Sequence, residues 1–273
     1  MLFRSRPDMF YQLKEASVAV GNSTVEYAVF GKGARPMVII PGLSLRDVKG
    51  AGAGLALMYR IFAKDFRVYV IDKKADIDEG CTVKDLADDT AAAMEALKIS
   101  NAVVVGISLG GMIAQYLALD YPHLVDRLVL GVTLSRPNDT VKSVIGKWVE
   151  RAEQGDFGAI VRDMSEVMYS PAYVKRWGWM FPILEKFGVP KNPARFVRLA
   201  KACLTCDVYD RLDEIVAPTL ILGGAEDKIV TGEASAEMAE RMGCECCLYE
   251  DLGHAAYEEA KDFNQRIYAF LNK

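Results

Sequence analysis

The chain has 273 residues, 51% apolar and 26% charged, with a formal net charge of −4. This length suits one large core domain with an insertion, and the composition excludes disordered, fibrous and collagen-like classes. A mildly acidic chain without a long block of like charge is not expected to bind nucleic acid. No apolar run reaches the roughly 20 residues of a membrane span, so none is expected.

The N-terminal Met1-Leu2-Phe3-Arg4-Ser5-Arg6-Pro7 lacks the apolar core of a signal peptide, which predicts a cytoplasmic protein. Residues 17–30 alternate around Gly21-Asn22, a hairpin signal. Short apolar runs then follow at Met37 to Ile40, Phe66 to Ile71, Ala102 to Val105, Leu128 to Leu130 and Thr219 to Leu222, most of them separated by helical segments. Such runs suit strands buried on both faces of a parallel sheet. The expected fold class is therefore α/β, a mostly parallel central sheet with helices on both faces. Residues 136–212 interrupt the alternation. They contain no strand signal and read as four helices, at 139–154, 157–169, 172–187 and 193–206. This predicts a core domain of residues 1–135 and 213–273 carrying an all-helical cap of residues 136–212 over the C-terminal edge of the sheet, where open α/β folds bind ligands.

Six cysteines are present. Cys203, Cys206, Cys244, Cys246 and Cys247 fall within predicted helix or strand, not in a spaced loop framework, so free thiols are expected. Alternation along a strand turns Cys247 away from Cys244 and Cys246, which argues against a metal site and for small core residues.

Chemistry concentrates around Gly106-Ile107-Ser108-Leu109-Gly110-Gly111, between the buried run at 102–105 and the helical pattern that starts at Met112. A serine on a sharp strand-to-helix turn is held in a strained conformation, with its hydroxyl at the positive end of the helix. Glycines on either side remove the Cβ atoms that would press on neighbouring backbone. A serine nucleophile needs a base, and the chain offers only two histidines. His123 follows the helix after Ser108 and is expected at the opposite edge of the sheet. His254 follows the last strand and emerges at the same edge as Ser108, so His254 is the expected base. The turn after Thr219 to Leu222 carries Glu226 and Asp227. Asp227 is the preferred partner for the imidazole, with Glu226 as the alternative. Donors for a developing oxyanion are expected from the backbone N–H of Leu109 and, through the turn Pro41-Gly42, from that of Leu43.

With Ser108, Asp227 and His254 in this chain order, the sequence resembles the α/β-hydrolase superfamily over nearly its whole length. Residues 106–111 look like its nucleophile elbow, residues 217–227 like its acid-bearing segment, Leu252-Gly253-His254 like its histidine loop, and residues 136–212 like its helical cap. Two stretches depart from the pattern. Pro41-Gly42 stands where family members often carry His-Gly, and Asp72-Lys73-Lys74-Ala75-Asp76 stands where they often carry a glycine-rich turn. The second departure bears on the shape of the adjacent pocket wall.

The resemblance implies a serine hydrolase without metal or organic cofactor, acting on a small-molecule substrate. A serine nucleophile excludes the dehalogenase and epoxide hydrolase branches, which need a carboxylate at that position. A small or medium carboxylic ester is the leading expectation, with an apolar acyl or aromatic group suggested by Trp148, Trp177, Trp179, Met164, Met168, Met180 and Phe181; packing among the cap helices would account for these residues equally well. The same triad could serve a C–C hydrolase of β-diketone type, a thioesterase, or a peptidase that uses Glu150, Glu153, Glu166 or Glu185 to bind an amine. A small-ligand sensor with a very slow triad is the reading from a different class.

Overall fold

A computed structural model describes residues 11–273; Met1 to Pro7, read above for targeting, lies outside the described residues. Eight strands form one sheet: β1 Lys14–Val20, β2 Ser23–Phe30, β3 Arg35–Ile40, β4 Phe66–Lys74, β5 Ala102–Ile107, β6 Val125–Gly131, β7 Thr219–Gly224 and β8 Glu245–Tyr249. Their spatial order is β1-β2-β4-β3-β5-β6-β7-β8. The first two strands form the hairpin expected at Gly21-Asn22, with Val20 opposite Ser23 and Gly21 at φ 58°. From β4 across to β8 every neighbouring pair is parallel.

Eleven α-helices accompany the sheet among the described residues. They are α1 Gly52–Met58, α2 Val83–Ala96, α3 Leu109–Asp120, α4 Asp139–Glu153, α5 Phe157–Met168, α6 Pro171–Trp177, α7 Phe181–Phe187, α8 Pro193–Cys203, α9 Gly232–Met242, α10 Ala256–Glu259 and α11 Phe263–Leu271. Two apolar cores lie on opposite faces of the sheet. One joins Leu86 and Met94 of α2, Ile113 and Leu117 of α3 and Met238 of α9 to the strands, and continues into α4, α5 and α8. The other packs Ala56 of α1 and Ile267 and Phe270 of α11 against the far face. Every residue of β5 and β7 is buried, as two-sided coverage requires.

Three features differ from the sequence reading. The helix expected over 172–187 is broken into α6, a 3-10 turn at Gly178–Met180, and α7. Pro182 explains the break, because its ring would clash with the carbonyl of Gly178 in a continuous helix and it has no N–H to donate. Strand β4 runs on through Asp72, Lys73 and Lys74, where a turn was expected; past a bulge, Val25 of β2 pairs with Lys74 and holds the extension. Asp72 and Lys73 are consequently buried. All six cysteines are free; Cys203 and Cys206 are core residues, but Cys246 is exposed and Cys244 and Cys247 are half-buried. They belong to the outermost strand or its entry, which only one neighbour covers.

The crossing of α3 over the sheet sets the tightest packing. A Cβ on Gly110 would lie 1.9 Å from the carbonyl oxygen of Ile40, whereas one on Gly146, in mid-α4, would meet nothing within 4 Å. Gly110→Ala is therefore expected to destabilise the protein by about 1–3 kcal/mol or more. Gly146→Ala is expected to stabilise it by about 0.5–1 kcal/mol through helix propensity. Urea unfolding of the two variants beside the wild type checks both signs.

Candidate active site

Ser108 links the end of β5 to the start of α3, with φ 54° and ψ −118°. A non-glycine residue held there is strained by about 1–3 kcal/mol and needs surroundings that over-determine it. They do. The Ser108 N–H donates to Gly131 O at 2.9 Å, and its carbonyl accepts from Thr133 Oγ1 at 2.7 Å and from the N–H groups of Gly111 and Met112. A Cβ on Gly106 would lie 2.4 Å from Gly110 O, and one on Gly111 would strike the Thr133 side chain at 2.6 Å. The glycines let strand and helix meet closely enough to leave the serine hydroxyl as the projecting group.

Two loops at the same sheet edge bring the other side chains to it. Gly224 and Gly253 are packed backbone to backbone: a Cβ on Gly224 would lie 2.2 Å from Gly253 O. The N–H groups of Ala225 and Glu226 donate to Tyr249 O and Leu252 O, binding the loops together. His254, 4% exposed, lies with Nε2 2.9 Å from Ser108 Oγ and Nδ1 2.8 Å from Asp227 Oδ2. The other Asp227 oxygen accepts from the N–H groups of Ile229 (2.8 Å) and Val230 (3.0 Å). Burial opposes ionisation of Asp227, but the facing imidazole and these hydrogen bonds prevail and hold its carboxyl below the usual range. Glu226 is exposed. His123 is remote from the site, exposed, with Nε2 3.8 Å from a Glu95 carboxylate oxygen.

The oxyanion candidates sit where the two turns converge. Leu109 is the first residue of α3, so its N–H has no partner within the helix. Gly42 faces the serine, and a Cβ there would lie 3.1 Å from Ser108 Cβ.

A small cavity of about 40 Å³ opens on Ser108 and His254. Its wall is mostly apolar, and the helices between β6 and β7 contribute Val141, Ile145 and Trp148 of α4, Met164 and Met168 of α5, and Cys203 of α8. Trp148 is held by a 2.7 Å hydrogen bond from Nε1 to Asp163, whose other oxygen is paired with Lys147. The cap residues singled out in the sequence thus divide. Trp148, Met164 and Met168 line the cavity, while Phe181 stacks with Tyr169 at 5.9 Å in a separate aromatic row and Trp179 is 67% exposed. Glu150 and Glu166 are exposed, Glu153 pairs with Lys201 and Glu185 with Arg162, so none of the four acids faces the cavity. Burial pushes the Cys203 thiol up to about 12, so it stays protonated at neutral pH and is no rival nucleophile.

The end of α5 is tied to the histidine loop. Met168 O accepts from the Ala255 N–H at 2.9 Å, Tyr169 donates to Glu258 at 2.9 Å, and the Ser170 N–H donates to Glu259 at 2.9 Å. Sequence reasoning did not single out Thr133, or Tyr257 in the cavity wall, and it noted Lys73 only as part of a stretch that departs from the family pattern, without its donation to the carbonyls of Pro41 and Gly42.

The model of the α/β hydrolase fold matches residues 36–170. The pyrrolizixenacetamide deacetylase of Xenorhabdus hominickii is 30% identical over 270 residues, which cover 93% of this chain and 97% of that protein. The chain belongs to the α/β-hydrolase superfamily. Among solved structures similar to this α/β hydrolase is MGS-M2, from a Medee basin deep-sea metagenome library, with a TM-score of 0.82, 24% identity, and coverage of 94% of this chain and 98% of that one. Another is Est816, described as an N-acyl homoserine lactone degrading enzyme, with a TM-score of 0.74, 27% identity, and coverage of 93% and 100%. No helix among the described residues is long and apolar enough to cross a membrane.

Gly42→Ala places a methyl group against Ser108, so the turn must shift by a few tenths of an ångström. The expected outcome is a folded protein whose turnover falls about tenfold or more, since sub-ångström to 1 Å misplacements at a reacting centre cost up to about 10²-fold. Parallel thermal melts and rate measurements on the variant check it.

Proposed function

We propose that this α/β hydrolase is a serine hydrolase of small carboxylic esters, with Ser108 as nucleophile, His254 as general base and Asp227 as the group that orients the imidazole. The observation that carries this reading is the continuous chain of contacts from Asp227 Oδ2 through both ring nitrogens of His254 to Ser108 Oγ, at 2.8 and 2.9 Å. Both distances lie within hydrogen-bond reach, as transfer of the serine proton requires.

The reaction runs in two halves. Ser108 Oγ attacks the acyl carbon as its proton passes to His254 Nε2. The carbonyl oxygen becomes an oxyanion held by the N–H groups of Leu43 and Leu109. The C–O bond to the alcohol then breaks, and the leaving oxygen takes the proton from His254. Water, deprotonated by the same imidazole, attacks the acyl-enzyme, and collapse of the second oxyanion returns Ser108 and releases the carboxylic acid. Asp227, ionised and bonded to Nδ1, keeps the proton on that nitrogen and stabilises the imidazolium at each stage.

Residues 136–212 act in this reading as a cap on a core of residues 1–135 and 213–273. The ties from Met168, Tyr169 and Ser170 to residues 255–259 hold the cap closed over the histidine loop. The small size of the cavity, about 40 Å³, supports a short-acyl ester as the substrate class. An amide of a short acyl group is the second reading, favoured by the 30% identical relative named pyrrolizixenacetamide deacetylase. The free thiols fit work in a reducing compartment.

The test is a series of p-nitrophenyl esters from acetate to octanoate. kcat/KM should be highest for acetate and fall about tenfold or more by octanoate, because each surplus methylene must displace packed side chains. Highest activity on octanoate would contradict the short-acyl pocket. Ser108→Ala should lower kcat by at least about a thousandfold with an unchanged melting temperature.

A further inference from the structure

Lys73 is the one buried lysine beside the site among the described residues, 6% exposed, and it belongs to no step described above. Its ammonium donates to two consecutive backbone carbonyls, Pro41 O at 2.5 Å and Gly42 O at 2.7 Å. The second carbonyl belongs to the same peptide unit as the Leu43 N–H. That unit is trans and planar, so its C=O and N–H point in opposite directions. Anchoring the oxygen on one side therefore aims the hydrogen at the other. Without the anchor, a turn pivoting on Gly42 could rotate this peptide cheaply, because glycine has no Cβ to oppose the rotation.

We propose that Lys73 is a positioning residue for the oxyanion site, fixing and polarising the Gly42–Leu43 peptide so that its N–H meets the developing charge. A cation on the carbonyl draws electron density from the amide and strengthens its N–H as a donor. The lysine is itself held in place. Arg195 of α8 donates to Lys73 O at 2.8 Å, to Lys74 O at 3.0 Å and to Asp72 Oδ1 at 3.1 Å, while the Val48 N–H donates to Asp72 Oδ2 at 2.9 Å. A helix of the cap is thereby joined through the end of β4 to the oxyanion turn. This explains why two charged residues, Asp72 and Lys73, continue a buried strand.

Charge balance around the ammonium sets a pH dependence. The groups facing it are Asp72 on its own strand and Arg195 and Cys203 on α8. Burial lowers its pKa most, Asp72 counters and Arg195 lowers it further, leaving it at about 8, while the Cys203 thiol is neutral in this range and adds no charge. Below that pH the ammonium polarises the turn. Above it the neutral amine is a weaker donor, so kcat falls as pH rises through about 8.

The inference rests on the reading of Leu43 N–H as an oxyanion donor, and two variants separate the two claims. Lys73→Met keeps the bulk of the stem and removes the charge. Leu43→Pro removes the N–H itself. Both are measured with p-nitrophenyl acetate and with a trifluoromethyl ketone, whose serine adduct carries an oxyanion. Lys73→Met should lower kcat about ten- to a hundredfold, less than the loss of a whole donor, with KM within about twofold. It should weaken the ketone by the same factor and abolish the decline in kcat above pH 8. A folded Lys73→Met enzyme with wild-type kcat and ketone affinity overturns the role of Lys73, and loss in Leu43→Pro then shows that the donor reading survives alone. Wild-type activity in Leu43→Pro overturns the donor reading itself. Should Lys73→Met fail to fold, the wild-type profile decides: a kcat that is flat from pH 7 to 9.5 overturns the proposal.

Discussion

The position of Ser108 follows from how closely α3 crosses the ends of β3 and β5. At Gly110 the helix comes so near the Ile40 carbonyl that no side chain fits, and at Gly106 and Gly111 the same holds against the helix itself and against Thr133. This proximity forces the turn into a positive φ at a serine, a conformation that stores strain, and the hydrogen bonds to Gly131 and Thr133 hold it there. The crossing also brings the Pro41-Gly42 turn alongside the serine, because that turn leaves the very strand the helix crosses. Nucleophile and oxyanion turn are thus two results of one packing constraint.

Two groups of buried charge flank this point, and in each the charge is paired. Asp227 and His254 occupy the ends of β7 and β8, in loops welded by the contact between Gly224 and Gly253. Asp72, Lys73 and Arg195 form the second group, on the other side of the oxyanion turn. An isolated ion in such a setting would cost several kcal/mol; a paired one with its remaining donors and acceptors satisfied does not. Both groups lie at the C-terminal edge of a parallel sheet, under helices that contribute apolar side chains and a low local dielectric. In that environment each fixed dipole or charge acts more strongly than it would in water.

Much of this was legible in the sequence for reasons that can be named. Buried parallel strands leave uninterrupted apolar runs, so the sheet and its edge could be drawn from residues 37–40, 102–105 and 219–222. Since successive strands share direction, any loop after a strand emerges at one edge, which separates His254 from His123. The glycines of residues 106–111 advertise their crowding because no other residue tolerates it. Other features depend on partners distant in the chain. Asp72-Lys73-Lys74 reads only as a departure from a glycine-rich turn until Arg195, 123 residues from Asp72, is known to cover it. Cys246 reads as a core residue unless its strand is known to be outermost. The break at Gly178 depends on Pro182, which is equally at home at the start of a helix, where the structure uses it. The size of the cavity depends on how α4 and α5 settle over the sheet, and no local pattern encodes that.

The central claim is that Ser108 is an activated nucleophile, and covalent labelling addresses it most directly. The wild type, Ser108→Ala and His254→Ala would be treated with a small fluorophosphonate and read by intact mass and peptide mapping. The account predicts a single adduct on Ser108 in the wild type, none in Ser108→Ala, and labelling slowed by orders of magnitude in His254→Ala. An unlabelled, folded wild type, or an adduct that persists at the same rate without His254, would contradict it and point instead to a pocket that binds ligands without turning them over.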